Sequence, residues 1–203
     1  MTSVDMIYSN SAVSAHMATH MLNKARIQAL IRATTKTLTD TILAEIGYIG
    51  TQHPVEQIIE TARHDAVGMF MKNCADPAVC TCVKAIYDFS ITPTAPGAPL
   101  RIAEAKLCDT IARNMKAIKS ASIKNYYQTL LDAWTNDKKM PTQALWERAY
   151  EMRLDTEGAG FVFYWYCLKQ LEFIAVKTIL LGKQFGFGAE KIMDDLRGIY
   201  DRF

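Results

Sequence analysis

The sequence predicts an all-α protein built from a series of amphipathic helices. Alanine occurs 25 times and valine eight times, a bias that favours helix because β-branched side chains lose rotamer freedom there and pack better in sheets. Apolar residues also recur at helical spacing within 55–73, 123–134 and 189–203. A chain of 203 residues with this pattern can bury a hydrophobic core without disulfides or metals.

Start signals and short polar or glycine-bearing joints divide the chain into consecutive helices. Pro54 lies at a first helical turn, where its missing N–H is tolerated, and Asp76 followed by Pro77 marks another start. A cluster of aromatic residues at 161–166 is typical of a helix buried on most sides rather than of a cofactor pocket. In chain order, helices are expected near residues 4–22, 24–33, 37–47, 55–73, 77–89, 101–118, 123–134, 142–154, 161–181 and 189–203.

One joint differs from the others in composition. Residues 92–99, TPTAPGAP, contain three prolines and a glycine and cannot continue a helix. This segment predicts a Pro-rich linker between an N-terminal helical unit, 1–91, and a C-terminal helical unit, 100–203.

Charge and hydropathy exclude several classes of function. The formal net charge is +2, so the field is too weak for nucleic acid as the main partner. The first residues lack a basic cluster before an apolar run, and the most apolar stretch, 158–168, is far shorter than the ~20 residues that span a bilayer. We therefore expect a cytoplasmic protein without a transmembrane helix, in which the five cysteines are free thiols.

The stretch LLGKQFGFG, 180–188, resembles a phosphate-binding loop only superficially. Such a loop needs Ser or Thr after the Gly-Lys pair and a glycine five residues before it, whereas Gln184 and Lys177 occupy these positions. We interpret the stretch as a joint in which Gly182 and Gly186 end one helix and lead into the next, while Lys183 binds helix C-terminal carbonyls.

Two groups of residues could hold a metal, but neither matches a complete ligand pattern. His16 and His20 lie one helical turn apart without the glutamate of H-E-x-x-H or an evident third ligand. Cys74, Cys80 and Cys82 lack paired C-x-x-C knuckles. Local spacing also reveals no catalytic set, although such sets are assembled in space from distant residues. We expect no metal, no cofactor and no enzymatic activity, with a small enzyme or metal protein as the alternative.

The C-terminal sequence from Gly160 to Tyr200 resembles the end of the C subunit of V-type ATPases and ATP synthases, which is named the d subunit in eukaryotes. The matching residues are Glu172, Gly182, Lys183, Gly186, Leu196, Arg197 and Tyr200. The chain departs from the family at Gln170, Ala175 and Lys177, where the family often has Glu, Asn and Arg.

The N-terminal sequence carries a second resemblance to this family. YSNSAVSAHMATHMLNKARIQALIRA, followed by LAEIGY, is similar to its opening helices, and Tyr87, Asp88 and Phe89 are similar to the close of its first unit. The family is usually built from three similar helical units in a longer chain, so this sequence resembles a form shortened after Phe89.

The resemblance implies a non-catalytic rotor component of a rotary ATPase. Its partners would be the central-stalk subunits and the membrane ion-carrying ring, and it would act as a socket between them at the cytoplasmic face of the membrane. The resemblance also implies structural or interface roles for Glu172, Lys177, Gly182, Lys183, Gly186 and Arg197. The alternative is a helical adaptor that derives from this family and serves another assembly.

Overall fold

The structure is a computed structural model that describes residues 3–91, 100–135, 142–155 and 158–203. Within these ranges all regular structure is helical, which confirms the predicted all-α class. The helices are α1 (Ser3–His20), α2 (Lys24–Arg32), α3 (Lys36–Glu45), α4 (Val55–Asn73), α5 (Pro77–Ile91), α6 (Leu100–Met115), α7 (Ala121–Thr135), α8 (Thr142–Glu151), α9 (Gly160–Gln184) and α10 (Ala189–Tyr200).

The predicted helices are all present in the described residues, and their ends differ from prediction by a few positions. The segment expected at 142–154 divides into α8 and a short 3₁₀ turn, Met152–Leu154. Pro54 precedes α4 directly instead of forming its first residue, and its carbonyl accepts from the Ile58 amide. None of the described helices combines the length and apolarity that a bilayer-crossing segment requires.

The chain divides into two compact units. The first unit comprises Met1–Ser11 and Val67–Cys167, and the second comprises Ala12–Ala66 and Leu168–Phe203. Each unit thus draws on sequence from both sides of the Pro-rich segment. That segment, 92–99, lies outside the described residues, so its expected role as a linker between 1–91 and 100–203 stays a prediction.

Aromatic side chains form much of the core of the first unit. The Phe163 ring on α9 contacts Tyr126 and Tyr127 of α7, with centroids 5.0 and 5.5 Å away, and Phe70 of α4 at 6.3 Å. Trp165 is fully buried. These contacts confirm the interpretation of 161–166 as a largely buried aromatic segment, in which Phe161 and Tyr164 are only half-buried.

A buried aspartate organises the start of α5 in the same unit. The Asp76 carboxylate accepts hydrogen bonds from the amides of Ala78 and Val79 at 3.0 and 3.3 Å, as a helix N-cap does. Its second oxygen accepts from the Lys119 amide, at 3.0 Å, in the joint between α6 and α7. The helix start predicted at Asp76 and Pro77 is therefore confirmed, and its cap also holds a distant loop.

In the second unit, polar caps and one glycine set the path of the chain between α2, α3 and α4. Asn23 and Thr35 cap α2 and α3 by accepting from the Arg26 and Leu38 amides. Gly47, at a φ of 83°, ends α3, and the Tyr48 amide bonds back to the Leu43 carbonyl at 2.9 Å. This turn brings Tyr48 into the core of the unit, where it is 5% exposed.

Candidate functional site

The most unusual group in the second unit is a carboxylate buried in an apolar helix. Glu172 of α9 has no exposed surface. Its Oε2 accepts from the Leu22 amide at 2.8 Å, and its Oε1 accepts from the Tyr48 hydroxyl at 2.9 Å and from Lys169 Nζ at 2.6 Å. Because buried charges are costly unless they are paired and hydrogen-bonded, these three donors are what allow the carboxylate to be there.

Each donor reaches Glu172 from a different part of the unit. Leu22 lies in the joint between α1 and α2, and Tyr48 follows the glycine turn after α3. Lys169 precedes Glu172 by three residues, so both side chains lie on one face of α9. The Lys169 ammonium also lies 5.8 Å from the centre of the Tyr48 ring. Glu172 therefore ties two interhelical joints to α9.

The protonation of Tyr48 agrees with this arrangement. Burial, and then the neighbouring Glu172 carboxylate, raise the pKa of Tyr48 well above its usual range. The phenol therefore stays protonated and donates its hydrogen bond throughout the physiological pH range. Since it has no exposed surface and accepts from three donors, Glu172 is placed to hold both joints against α9.

The glycine-lysine stretch forms the joint between α9 and α10, but it does so one turn later than expected. Helix α9 continues to Gln184, so Gly182 lies inside its last turn and does not end it. The end is made at Gly186, whose φ is 73°. The Gly186 amide bonds to the Lys183 carbonyl and the Phe187 amide to the Gly182 carbonyl, a Schellman motif.

Gly182 is needed for a different reason, the close approach of α10. A Cβ atom at this position would lie 2.8 Å from Cγ1 and 3.1 Å from Cδ1 of Ile192, which is itself buried. The expectation that both glycines end a helix is thus corrected: Gly186 supplies the left-handed turn, and Gly182 supplies room for the helix that follows.

Valine at either glycine is expected to lower the free energy of unfolding. Gly182→Val overpacks the contact with Ile192 and should cost about 1 to 3 kcal/mol, and Gly186→Val forces a side chain into the left-handed region at a cost of about 1 to 2 kcal/mol or more. Gly198→Val is the control, because Gly198 is helical with open space at its Cβ position. Urea unfolding should show a change within about 0.5 kcal/mol for that variant; equal losses at 182 and 198 would contradict the packing argument.

Lys183 contacts a helix C-terminus, as expected. Its Nζ donates to the carbonyl oxygen of Ala33, the C-cap residue of α2, where a cation also complements the helix dipole. Partial burial lowers the pKa of this lysine. Lys183 also lines a cleft of about 390 Å³ together with Lys36 and His53. Glu56 lines the same cleft and offsets part of the lysine charge, so the cleft is not a strongly cationic site.

The remaining two predicted site residues lie on the surface. Lys177 is exposed on α9, and Arg197 is exposed on α10, where its guanidinium lies 3.0 Å from the Asp194 carboxylate. Tyr200, near the end of α10, accepts a hydrogen bond at 2.7 Å from Gln28 Nε2 of α2. The six predicted site residues therefore form no single site: Glu172, Gly182, Lys183 and Gly186 stabilise the unit, while Lys177 and Arg197 are available to a partner.

The two histidines of α1 lie side by side, with ring centroids 5.2 Å apart. His20 Nδ1 lies 3.2 Å from the Glu45 carbonyl oxygen. Partial burial, then the positive charge of Lys169 and of His20, lower the pKa of His16 to about 4. In the described residues, no cluster of three or more His, Cys, Asp or Glu side chains has the geometry to hold a metal ion.

The lowered pKa of His16 predicts a loss of stability in mild acid. Between pH 6.5, its ordinary pKa, and about pH 4, the unfolded chain binds a proton at this ring that the folded protein does not. The free energy of unfolding should therefore fall as the pH falls through this window and recover as it rises. His16→Gln should flatten the pH dependence of the urea midpoint within this window. Identical profiles for the wild type and His16→Gln would contradict this assignment.

The five cysteines are all free thiols, and Cys74, Cys80, Cys82 and Cys167 are buried. Cys74 lies at the end of α4 and Cys80 in the first turns of α5. The Cys80 sulfur lies 3.7 Å from the Cys74 carbonyl oxygen, and the Cys74 sulfur lies 3.8 Å from the Asp76 carbonyl oxygen.

Sequence reasoning identified Glu172 but missed its partners. A signal for one of them was present: Lys169 and Glu172 are charged residues three apart in an otherwise apolar helix, a spacing that predicts an ion pair on one face. The contributions of Tyr48 and the Leu22 amide come from residues 124 and 150 positions away. No local pattern signals contacts of that range.

Comparisons with known proteins identify no relative of this chain. No family model matches it, and no curated protein or solved structure shows a significant match. A functional assignment therefore depends on the residues of this chain and on the contacts they make.

Proposed function

We propose that this chain is a non-catalytic rotor component of a V-type ATPase or ATP synthase, in which it couples the central stalk to the membrane ion-carrying ring. It would bind stalk subunits and the ring as a rigid helical socket, and other subunits would hydrolyse or synthesise ATP. The proposal rests on the resemblance of both ends of the chain to one family of rotor proteins, together with one structural observation.

That observation is a set of contacts, inside the second unit, between residues of the two family-like sequence regions. Glu172, from the C-terminal pattern, accepts hydrogen bonds from the Leu22 amide and from Tyr48, which both belong to the N-terminal pattern. Two further residues of the C-terminal pattern also contact the N-terminal one: Lys183 donates to the Ala33 carbonyl, and Tyr200 accepts from Gln28. The two sequence regions that resemble the family are far apart in the chain, yet their residues contact each other. This supports treating the two regions as one motif.

The physical character of the unit also suits a part that transmits torque. Close-packed interiors have low compressibility and pass on strain instead of absorbing it. In this unit, apolar residues of α9 are fully buried, and the joints on either side of α2 and α3 are held by the Glu172 carboxylate and by caps. Exposed charged residues such as Lys177 and Arg197 fit a polar mating surface, as is usual for non-obligate interfaces.

Deletion of the gene tests the proposal. Without this chain, ATP-driven ion transport should be abolished, while the detached catalytic head continues to hydrolyse ATP, because torque would no longer reach the ring. The two activities are measured on membranes from the deletion strain and from the same strain complemented with the gene. Co-purification of the tagged chain with the stalk and ring subunits is the accompanying binding measurement.

The same experiment separates the proposal from its alternative. Full ion transport in the deletion strain would end the rotor assignment and favour an adaptor that serves another assembly. Loss of both transport and hydrolysis would place the chain in the catalytic head or its assembly and would also contradict a socket role.

A further inference from the structure

Two of the buried thiols lie together at the joint between α4 and α5, in a part of the molecule that the rotor role does not use. Cys74 and Cys80 are 8% and 9% exposed, and the Cys74 sulfur lies 3.8 Å from the Asp76 carbonyl oxygen. The Cys80 sulfur additionally lies 3.7 Å from the Cys74 carbonyl oxygen. Both sulfurs therefore contact the backbone of one short joint, 74–76, within the first unit.

We propose that Cys74 and Cys80 form a site of reversible oxidation, at which a peroxide converts the two thiols into an intramolecular disulfide. The Cys80 thiolate attacks one peroxide oxygen, the O–O bond breaks, and the departing hydroxide takes a proton to leave as water. The sulfur of Cys74 then attacks the resulting Cys80 sulfenic acid, the S–O bond breaks, and a second water leaves with the Cys74 proton. Two thiols lose two electrons in total, and one peroxide gains them.

The surroundings of the thiols assign the two roles. The neighbouring Cys74 thiol lowers the pKa of Cys80, against the opposing effects of burial and Asp76, so Cys80 is the attacking thiol. The neighbouring Cys80 thiol, together with burial, raises the pKa of Cys74, which suits the thiol that waits for the sulfenic acid. The slight exposure of both residues admits a molecule as small as hydrogen peroxide and disfavours bulky disulfide reagents.

The other three cysteines differ from Cys80 in that their pKa values are raised, which should make oxidation selective for the pair. Cys82 follows Cys80 by two residues on α5, yet burial raises its pKa to about 12. Burial likewise raises the pKa of Cys167 to about 12 and raises that of Cys108. Since the thiolate is the reacting form, these three thiols should remain reduced under conditions that oxidise the pair.

The test is to treat the reduced, full-length protein with hydrogen peroxide in slight molar excess. The expected result is loss of the mass of two hydrogen atoms and of two of the five thiols, without dimer formation and with full reversal by dithiothreitol. Cys82→Ala is the matched control and should behave like the wild type. In this variant, trypsin releases 73–84 with Cys74 and Cys80 as its only cysteines, so the bridge can be assigned by mass without altering either residue.

Alanine variants of Cys74 and Cys80 test which thiol attacks the peroxide and which one then forms the disulfide. Cys80→Ala should lose the oxidation, and Cys74→Ala should stop at a sulfenic acid that dimedone traps, provided that both retain the helical circular dichroism of the wild type. Retention of all five thiols by the folded wild type would overturn the proposal. So would a dimedone adduct on the wild type in place of the disulfide, a bridge that involves another cysteine, or the same selectivity for the pair in urea-unfolded protein.

Discussion

Replacing Glu172 with glutamine is expected to lower the free energy of unfolding by about 3 to 5 kcal/mol, the usual effect of removing one partner of a buried ion pair. Glutamine has nearly the same shape, so the loss would not come from a cavity. One part of the loss would come from the Lys169 ammonium, which would be buried without its counter-charge. Another part would come from the glutamine N–H₂ group, which would face N–H donors whose hydrogen bonds the carboxylate accepts. Urea unfolding at neutral pH measures the change.

Two comparisons isolate the role of burial in this effect. Asp195→Asn makes the same chemical change in an exposed ion pair with Lys191 on α10 and should cost less than about 1 kcal/mol. Adding Lys169→Met to Glu172→Gln should recover part of the loss, because it removes the unpaired buried charge. A loss for Glu172→Gln as small as that for Asp195→Asn would show that the carboxylate is accessible to water.

Replacing Trp165 with alanine is expected to cost about 3 to 5 kcal/mol. The indole is fully buried in the first unit, and a close-packed interior relaxes only partly into the space that a removed side chain leaves. Leu168→Ala, at a position that is 6% exposed in the second unit, should cost about 2 to 5 kcal/mol for the same reason.

Trp146 provides the matched control for this prediction. It lies on α8 and is only half-buried, with its ring 6.1 Å from those of Tyr150 and Tyr164. Trp146→Ala therefore removes the same side chain but less buried surface, and its effect should be clearly smaller. A change near zero at both Trp165 and Leu168 would mean that this face of α9 is an exposed interface rather than core.

The aromatic and apolar patterns predicted the helices well because helix formation depends on contacts between residues three and four apart. The start of α5 at Asp76 and Pro77, the stripe of α4 and the buried segment at 161–166 all follow from such short-range spacing. The end of α9 was harder to predict, since a glycine inside a helix and a glycine that ends one look alike in sequence. Their difference depends on Ile192, which approaches Gly182 from the next helix.

The sequence by itself therefore determined the all-α class, the order and approximate bounds of the helices, and which helix faces are apolar. Only the tertiary structure decided that Glu172 meets Leu22 and Tyr48, that Lys183 reaches the end of α2, and that the Cys80 sulfur contacts the Cys74 backbone. The physical reason is range. Helical periodicity depends on residues that are close together in the sequence. The contacts of a buried carboxylate or of a buried thiol depend on segments that only the folded chain brings together.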